Sequence, residues 1–388
     1  MNVQESIRTA QSCLTDPRQA VREFHAGVCQ PNMVLVLFFC SSRYDLGAVA
    51  SELNALFPGV AVVGCTSAGE IGPLGYQEHG ISGVSFAEGS CSAAAGFLEH
   101  LQQFETAQGK AFTQSLLKRF EACAPAANAH NSFAFLLVDG LSIREDFVVH
   151  TLHDALGKMP LFGGSAGDDL AFGRTWVFHD GAFRTDSAVL LLVSTPLPFR
   201  VFKTQHFVCN SERMVVTSAD PSRRIVREIN GLPAADEYAR VVGVPTGDLS
   251  PMRFATSPVV VVIDGTDYVR SIQKVNADGS LTFYCAIDKG LTLRTARGDD
   301  LPGNLVRSLA AIQADIGEPQ VVLGCDCILR KLEFCHAGQK PMLDALSRRH
   351  RLVGFSTYGE LYGSLHINQT FTGIAIGRPA EMQNDRAA

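Results

Sequence analysis

Apolar residues in this chain come in short runs separated by polar turns. "MVLVLFF" (33–39), "FAFLLV" (133–138) and "AVLLLV" (188–193) are nearly continuous apolar stretches of strand length. That pattern predicts strands, and the runs are far too short to span a membrane. Between such runs lie segments with helical spacing, "VASELNALF", "FVVHTLHDAL" and "PMLDALSRRH". Each leads into a short strand and a turn rich in glycine and hydroxyl residues: "VVGCTSAGEI" (62–71), "LFGGSAGDD" (161–169) and "LVGFSTYGEL" (352–361). From the start of the upstream strand to the first turn glycine (Met33 to Gly64, Ser132 to Gly163, Gln320 to Gly354) the separations are 31, 31 and 34 residues. A further strand follows each turn: "GISGVSFA", "DSAVLLLVS" and "TFTGIAIG". The pattern predicts three copies of a strand-helix-strand-turn-strand unit, hence an α/β fold with mixed sheets. The units at 33–87, 132–194 and 320–377 should share strand order.

The repeat bears on a literal G-x-S-x-G at 163–167, the spelling of a hydrolase nucleophile elbow. A nucleophile is needed once, whereas a small-residue turn recurs in all three units. Ser165 therefore reads first as a turn residue, and the glycines beside it as positions that permit positive φ, expected at Gly164, or let a neighbouring strand or ligand approach closely. The recurring acids Glu70, Asp168 and Glu360 read as acceptors for turn N–H groups or as caps, rather than as acid/base groups.

Composition narrows the classes. Of 388 residues, 46% are hydrophobic and 19% charged, enough for a large core in two domains. A net charge of −6 leaves no basic excess for phosphates, so nucleic acid is not an expected partner. The first residues are polar and mixed, and a cytoplasmic protein without membrane insertion is expected. Eleven scattered cysteines suit a reducing compartment. Cys325, Cys327, Cys335 and His336 lie close together and could hold zinc, although C-x-C in a strand-like run suits buried structural cysteines as well.

The strings "GCTSAGEIG", "LFGGSAGDD", "VVTSADPSRRIVREINGLPAADEYA" and "FSTYGELYGSLHINQTFTGIAIG" resemble the FIST proteins, two-part sensory domains of bacterial signal transduction. "FKTQHF", "YVRSIQ", "DGSLTFYCAID", "GCDCILRKLE" and "LHINQTFTG" are similar to that family's haem-binding, nitric-oxide-sensing branch. The resemblance implies a FIST N-terminal domain at 25–220 and a C-terminal domain at 221–378, with the join near Pro221. It implies a non-enzymatic sensor that binds haem b and detects nitric oxide. Its partner would be a histidine kinase or a cyclic-di-GMP enzyme (a diguanylate cyclase or phosphodiesterase), acting on biofilm behaviour through a two-component system. A homodimer would be compatible with this.

A haem site needs an axial ligand, an apolar slot and cations for the propionates. His206 is the first candidate for the iron. It lies in "FRVFKTQHFVC" (199–209), which alternates like one strand, and Arg200 and Lys203 are nearby. His366, peculiar to the third unit, is the rival, although a generic ligand-pocket role suits it equally. Tyr268 and Phe283 could line the slot or be plain core. Two other readings stay open: a FIST sensor of a small metabolite such as an amino acid, bound in the C-terminal half, and a serine hydrolase using Ser165.

Overall fold

The computed structural model describes residues 6–263 and 265–378. Its body is three six-stranded mixed sheets, one per repeat. The first unit has an edge strand (Ile7–Ser12), a helix (Pro17–Val28) and a central strand (Met33–Ser41). A second helix (Leu46–Leu56), a turn strand (Ala61–Ser67), a hairpin (Glu70–Gly72, Gly75–Gln77) and a return strand (Ile81–Ala87) follow. The second unit repeats this order through the central strand Ser132–Val138, turn strand Leu161–Ser165, hairpin Val177–His179 with Ala182–Arg184, and return strand Ser187–Ser194. The third does so through Val321–Cys327, Leu352–Thr357, Glu360–Tyr362 with Leu365–Ile367, and Phe371–Ile376. Its middle segment is two helices, Ile328–His336 and Lys340–Arg349, so "ILR" of the expected upstream strand is helical. Asp16, Asp45 and Asp300 cap helices by accepting first-turn N–H groups.

In every unit the central strand pairs parallel with the turn strand, the helix making the crossover. It pairs antiparallel with the return strand, which pairs with an edge strand. Those edge strands (Ile7–Ser12, Ser92–Glu99 and Phe199–Thr204), each followed by its own helix, also belong to the repeat, which is longer than the expected unit.

The central strands are apolar throughout because both their faces are covered. Leu35, Leu37 and Phe39 meet Phe133, Phe135 and Leu137, and Val321, Leu323 and Cys325, in one core shared by the three sheets. The alternate residues face outward under helices: Val36 and Phe38 against Phe24 and Leu53, Leu136 against Phe120 and Leu152, Val322 against Leu305 and Leu343.

Each unit's hairpin leaves its own sheet. The first unit's hairpin joins the third sheet, where Glu70 pairs with Phe355. The second unit's joins the first sheet, Phe178 on Gly64, and the third unit's joins the second, Leu361 on Gly163. The three exchanges form a closed cycle.

A fourth sheet of eight strands, covering 207–298, is inserted between the edge strand and first helix of the third unit. It has its own core, with Met214, Tyr238, Phe254 and Leu293. Pro221 lies in the turn between its strands Phe207–Asp220 and Ile225–Ile229, which pair with one another. The single strand expected at 199–209 is broken at Gln205 and His206. The reason is pairing: Phe199–Thr204 runs beside Phe371–Ile376 in the body, while residues from Phe207 onward pair with Ala296–Gly298 in the inserted module. Among the described residues no helix is long and apolar enough to cross a membrane.

Candidate functional site at the junction of body and inserted module

The pairing register aligns Gly64, Gly163 and Gly354, and hence the hydroxyl residues Thr66, Ser165 and Ser356 two places on. Each donates its backbone N–H to the incoming hairpin segment: to Trp176 O at 2.9 Å, Gly359 O at 2.9 Å and Gly69 O at 2.7 Å. The turns thus do one shared backbone job. Gly164 does not have positive φ, contrary to expectation; a Cβ there would instead sit 3.0 Å from the Phe355 ring.

The recurring acids also hold turns. Asp168 accepts from the N–H groups of Phe172 (2.9 Å), Gly173 (2.7 Å) and Arg174 (2.8 Å). Glu360 accepts from Thr370 N and Oγ1, and Glu70 from the Ser67 hydroxyl at 2.6 Å. Burial raises both glutamates, Glu70 to about 8 and Glu360 well above the usual carboxylate range.

Ser165 is buried beside His366. Its Oγ is 3.5 Å from His366 Nε2, and His366 Nδ1 is 3.4 Å from Asp146 Oδ2, on the helix Glu145–Leu156. The order is Ser-His-Asp, but both separations exceed good hydrogen-bond lengths. The donors that an oxyanion would need are already used: Ala166 N goes to Val138 O (2.8 Å) and Gly167 N to Thr66 O (3.0 Å). Ser165→Ala is accordingly expected to shift stability by less than about 1 kcal/mol, read from urea unfolding. A much larger loss would mean that this hydroxyl holds His366.

Around His366 the inserted module meets the body. Arg224 binds Glu145 (2.6 Å) and Asp146 (2.9 Å); Arg270 lies 3.6 Å from Asp146 and donates to the His366 carbonyl at 2.7 Å. Asn368 accepts from Ser271 N (3.1 Å) and the Cys285 thiol (2.8 Å), and Ala286 N donates to Asp146 at 3.0 Å. Burial alone would raise the Asp146 carboxyl. The His366 ring, then Arg224 and Arg270, outweigh it and hold that carboxyl well below the usual carboxylate range. Asp146 keeps 24% of its side chain exposed, so the cluster reaches solvent.

His206 sits where the chain first crosses from body to module, in a second network. Arg330 Nη1 donates to Nδ1 at 3.1 Å, which leaves the Nε2–H for Glu333 at 2.9 Å. Arg330, fully buried, also binds Asp326 at 2.6 Å, and Asp326 accepts from the Tyr76 hydroxyl at 2.8 Å. At the return crossing Asp299 N donates to His206 O, so both crossings are fastened at one place. Desolvation, against the opposing pull of Glu333, lowers the His206 imidazole.

The six expected haem residues do not form one site. Arg200 pairs with Asp315 on the surface, Lys203 lies 4.5 Å over the Tyr268 ring, and Phe283 is in the module core. His206 has both ring nitrogens engaged. His366 has a loosely held Nε2, but it is buried under Gly359, where a Cβ would lie 1.9 Å from that nitrogen. As arranged, these residues do not fit a haem. Cys325 and Cys327 are buried in their strand while Cys335 is exposed on the next helix. Among the described residues no group of three or more His, Cys, Asp or Glu is placed to hold a metal ion.

Asp146, Arg224, Arg270, Asp326, Arg330 and Glu333 were not among the expected site residues. A charged residue reads as solvated surface unless its partner is known, and these partners are up to 220 residues away. One signal was available. "FKTQHF" meets "GCDCILRKLE" through His206 and Arg330, and "YVRSIQ" meets "LHINQTFTG" through Arg270 and Asn368, so the branch-like strings converge in space.

Two solved cyanuric acid hydrolase structures are similar to the chain. One, from A. caulinodans, is 8% identical with TM-score 0.40; the other is 10% identical with TM-score 0.35. Each comparison covers 96% of this chain and 99% of the other. No curated protein matches it. The FIST N domain matches residues 34–232 and the FIST C domain residues 234–363. With both halves matched in order, the chain belongs to the FIST family of signal-transduction sensor domains.

Proposed function

We propose that this chain is a non-catalytic sensor in which a small polar metabolite, of the amino-acid class, binds at the Asp146 cluster and changes how the inserted module sits on the body. The observation that carries the reading is one carboxylate, Asp146, held by Arg224 and Arg270 from the module and His366 from the body. A zwitterion matches that set, its carboxylate taking Arg224 and Arg270 and its ammonium taking Glu145 and Asp146. A ligand competing for these groups stabilises whichever arrangement of the two parts leaves them free, a population shift between two states. The readout would be a surface offered to a partner histidine kinase or cyclic-di-GMP enzyme.

The second reading, haem with nitric oxide as its signal, comes from the resemblance and would require His366 to leave its place under Gly359. The His366 Nδ1 faces a carboxylate and its Nε2 is only loosely held, as in many metal-bound imidazoles. One comparison separates the two. Thermal shifts with each amino acid, lost in Arg270→Gln, support the metabolite. No thermal shift with any amino acid, together with a Soret band that moves with nitric oxide and disappears in His366→Ala, transfers the assignment to haem.

A further inference from the structure

Away from the junction, a cavity of about 430 Å³ opens where the first and second turns approach the helix Ile328–His336. That volume lies within the range of small-molecule pockets. Ala68, Leu170, Ala171, Ile328 and Leu332 give it an apolar wall, and at its edge Arg43 is paired with Asp169 at 2.8 Å.

Among the described residues, Lys331 is a buried cation with a single, long ion pair. It is 6% exposed, yet among the described residues its ammonium makes one hydrogen bond, to Ala68 O at 3.0 Å. The nearest carboxylate, Glu78, is 3.9 Å away and 74% exposed. An ammonium has three donors, and burying one so poorly compensated is costly. Glu70, close by, does not balance it at neutral pH: burial pushes that carboxyl up to about 8, against the Ser67 hydrogen bond and the Lys331 charge. Among the described residues Glu70 Oε2 has no hydrogen-bond partner. Asp169 also raises Glu70, and Glu70 in turn acts on Cys13, Cys40 and Tyr44, each of which burial, then this carboxylate, shifts upward.

We propose that this cavity binds a small organic carboxylate with an apolar body, its carboxylate seated on Lys331 Nζ and its body against Leu170, Ile328 and Leu332. The binding is non-covalent and independent of the Asp146 cluster. As pH rises through the Glu70 range, Glu70 ionises, supplies the missing charge, and displaces the ligand.

Titration calorimetry on the full chain tests this with sodium benzoate and sodium hexanoate as probes and benzyl alcohol as the neutral comparator. At least one carboxylate should bind at about pH 7, with benzyl alcohol weaker by about tenfold or more. Carboxylate affinity should fall toward about pH 9, and Glu70→Gln should abolish that fall. Lys331→Met should weaken the carboxylate by about tenfold while leaving benzyl alcohol unchanged. Should Lys331→Met fail to fold, Leu170→Trp fills the cavity from a half-exposed position and should block binding in a folded protein. Binding by neither carboxylate, equal binding of benzoate and benzyl alcohol, or undiminished binding in Leu170→Trp would overturn the proposal. Amino-acid responses at the Asp146 cluster should persist in Leu170→Trp, so failure here is distinguishable from failure there.

Discussion

Gly163→Val is expected to cost about 3 kcal/mol or more, or to leave the chain insoluble. A Cβ at Gly163 would lie 1.9 Å from the carbonyl oxygen of Leu136, on the parallel central strand. Backbone at that distance has no rotamer to change, so one of two buried strands must move. The equivalent glycines meet the same obstacle, Gly64 at 2.3 Å from Phe38 O and Gly354 at 1.8 Å from Gly324 O. The valine variant at any of the three should therefore show a similar loss. Gly231 is the control: it has φ +78° but nothing within 4 Å, and Gly231→Ala should cost only about 1 kcal/mol. Urea midpoints compare them. A Gly163→Val protein with the parent midpoint would contradict the close approach of the two strands.

Arg224→Met should destabilise by about 3–5 kcal/mol, because it strips the buried Glu145 carboxylate and Asp146 of their shared cation. The loss should show as earlier unfolding of the module or as freer cleavage near its crossings. The acid side carries its own signature. Asp146 has a folded pKa held below its unfolded value, so its contribution is fully present above the unfolded carboxylate range and disappears as pH falls through the depressed folded value. Stability of the parent should decline on acidification below about pH 4, and Asp146→Asn should flatten part of that decline. An unchanged acid profile in Asp146→Asn would remove the electrostatic account of this junction.

The repeat was legible because the central strands are covered on both faces and so carry continuous apolar runs. Two of the edge strands were not, and the third, read within one strand at 199–209, was not seen to belong to the repeat. "IRTAQS", "SAAAGFLE" and "FRVFKT" share no such run, since an edge strand packs less completely and tolerates more polar residues. The hairpin exchange left no trace either: strands of three residues have no measurable period, and nothing local says which sheet they join. The break at His206 was invisible because alternation continues across it while the pairing partner changes. At Ser165 the argument from repetition identified the shared turn and the close approach its glycines allow, which Gly163 shows, whereas the positive φ expected at Gly164 is not found. The Asp146 cluster needed the fold, because four of its charges come from segments far apart in sequence.

The hairpin cycle also dictates an order of events at the ribosome. The inserted module pairs its strands only within 207–298, so it can assemble as soon as it emerges. The first unit's hairpin has no such option. Its third-unit partners arrive last, and the Ser347 hydroxyl that bonds Gly72 O lies 275 residues downstream. Closing so long a loop is entropically unfavourable and slow, and contacts of this range put a chain among the late folders. Until release, then, the nascent chain holds two nearly built sheets and a waiting pair of short strands with open edges. That is the interval in which a chaperone, or a neighbouring nascent copy of the same sequence, would find this protein most receptive.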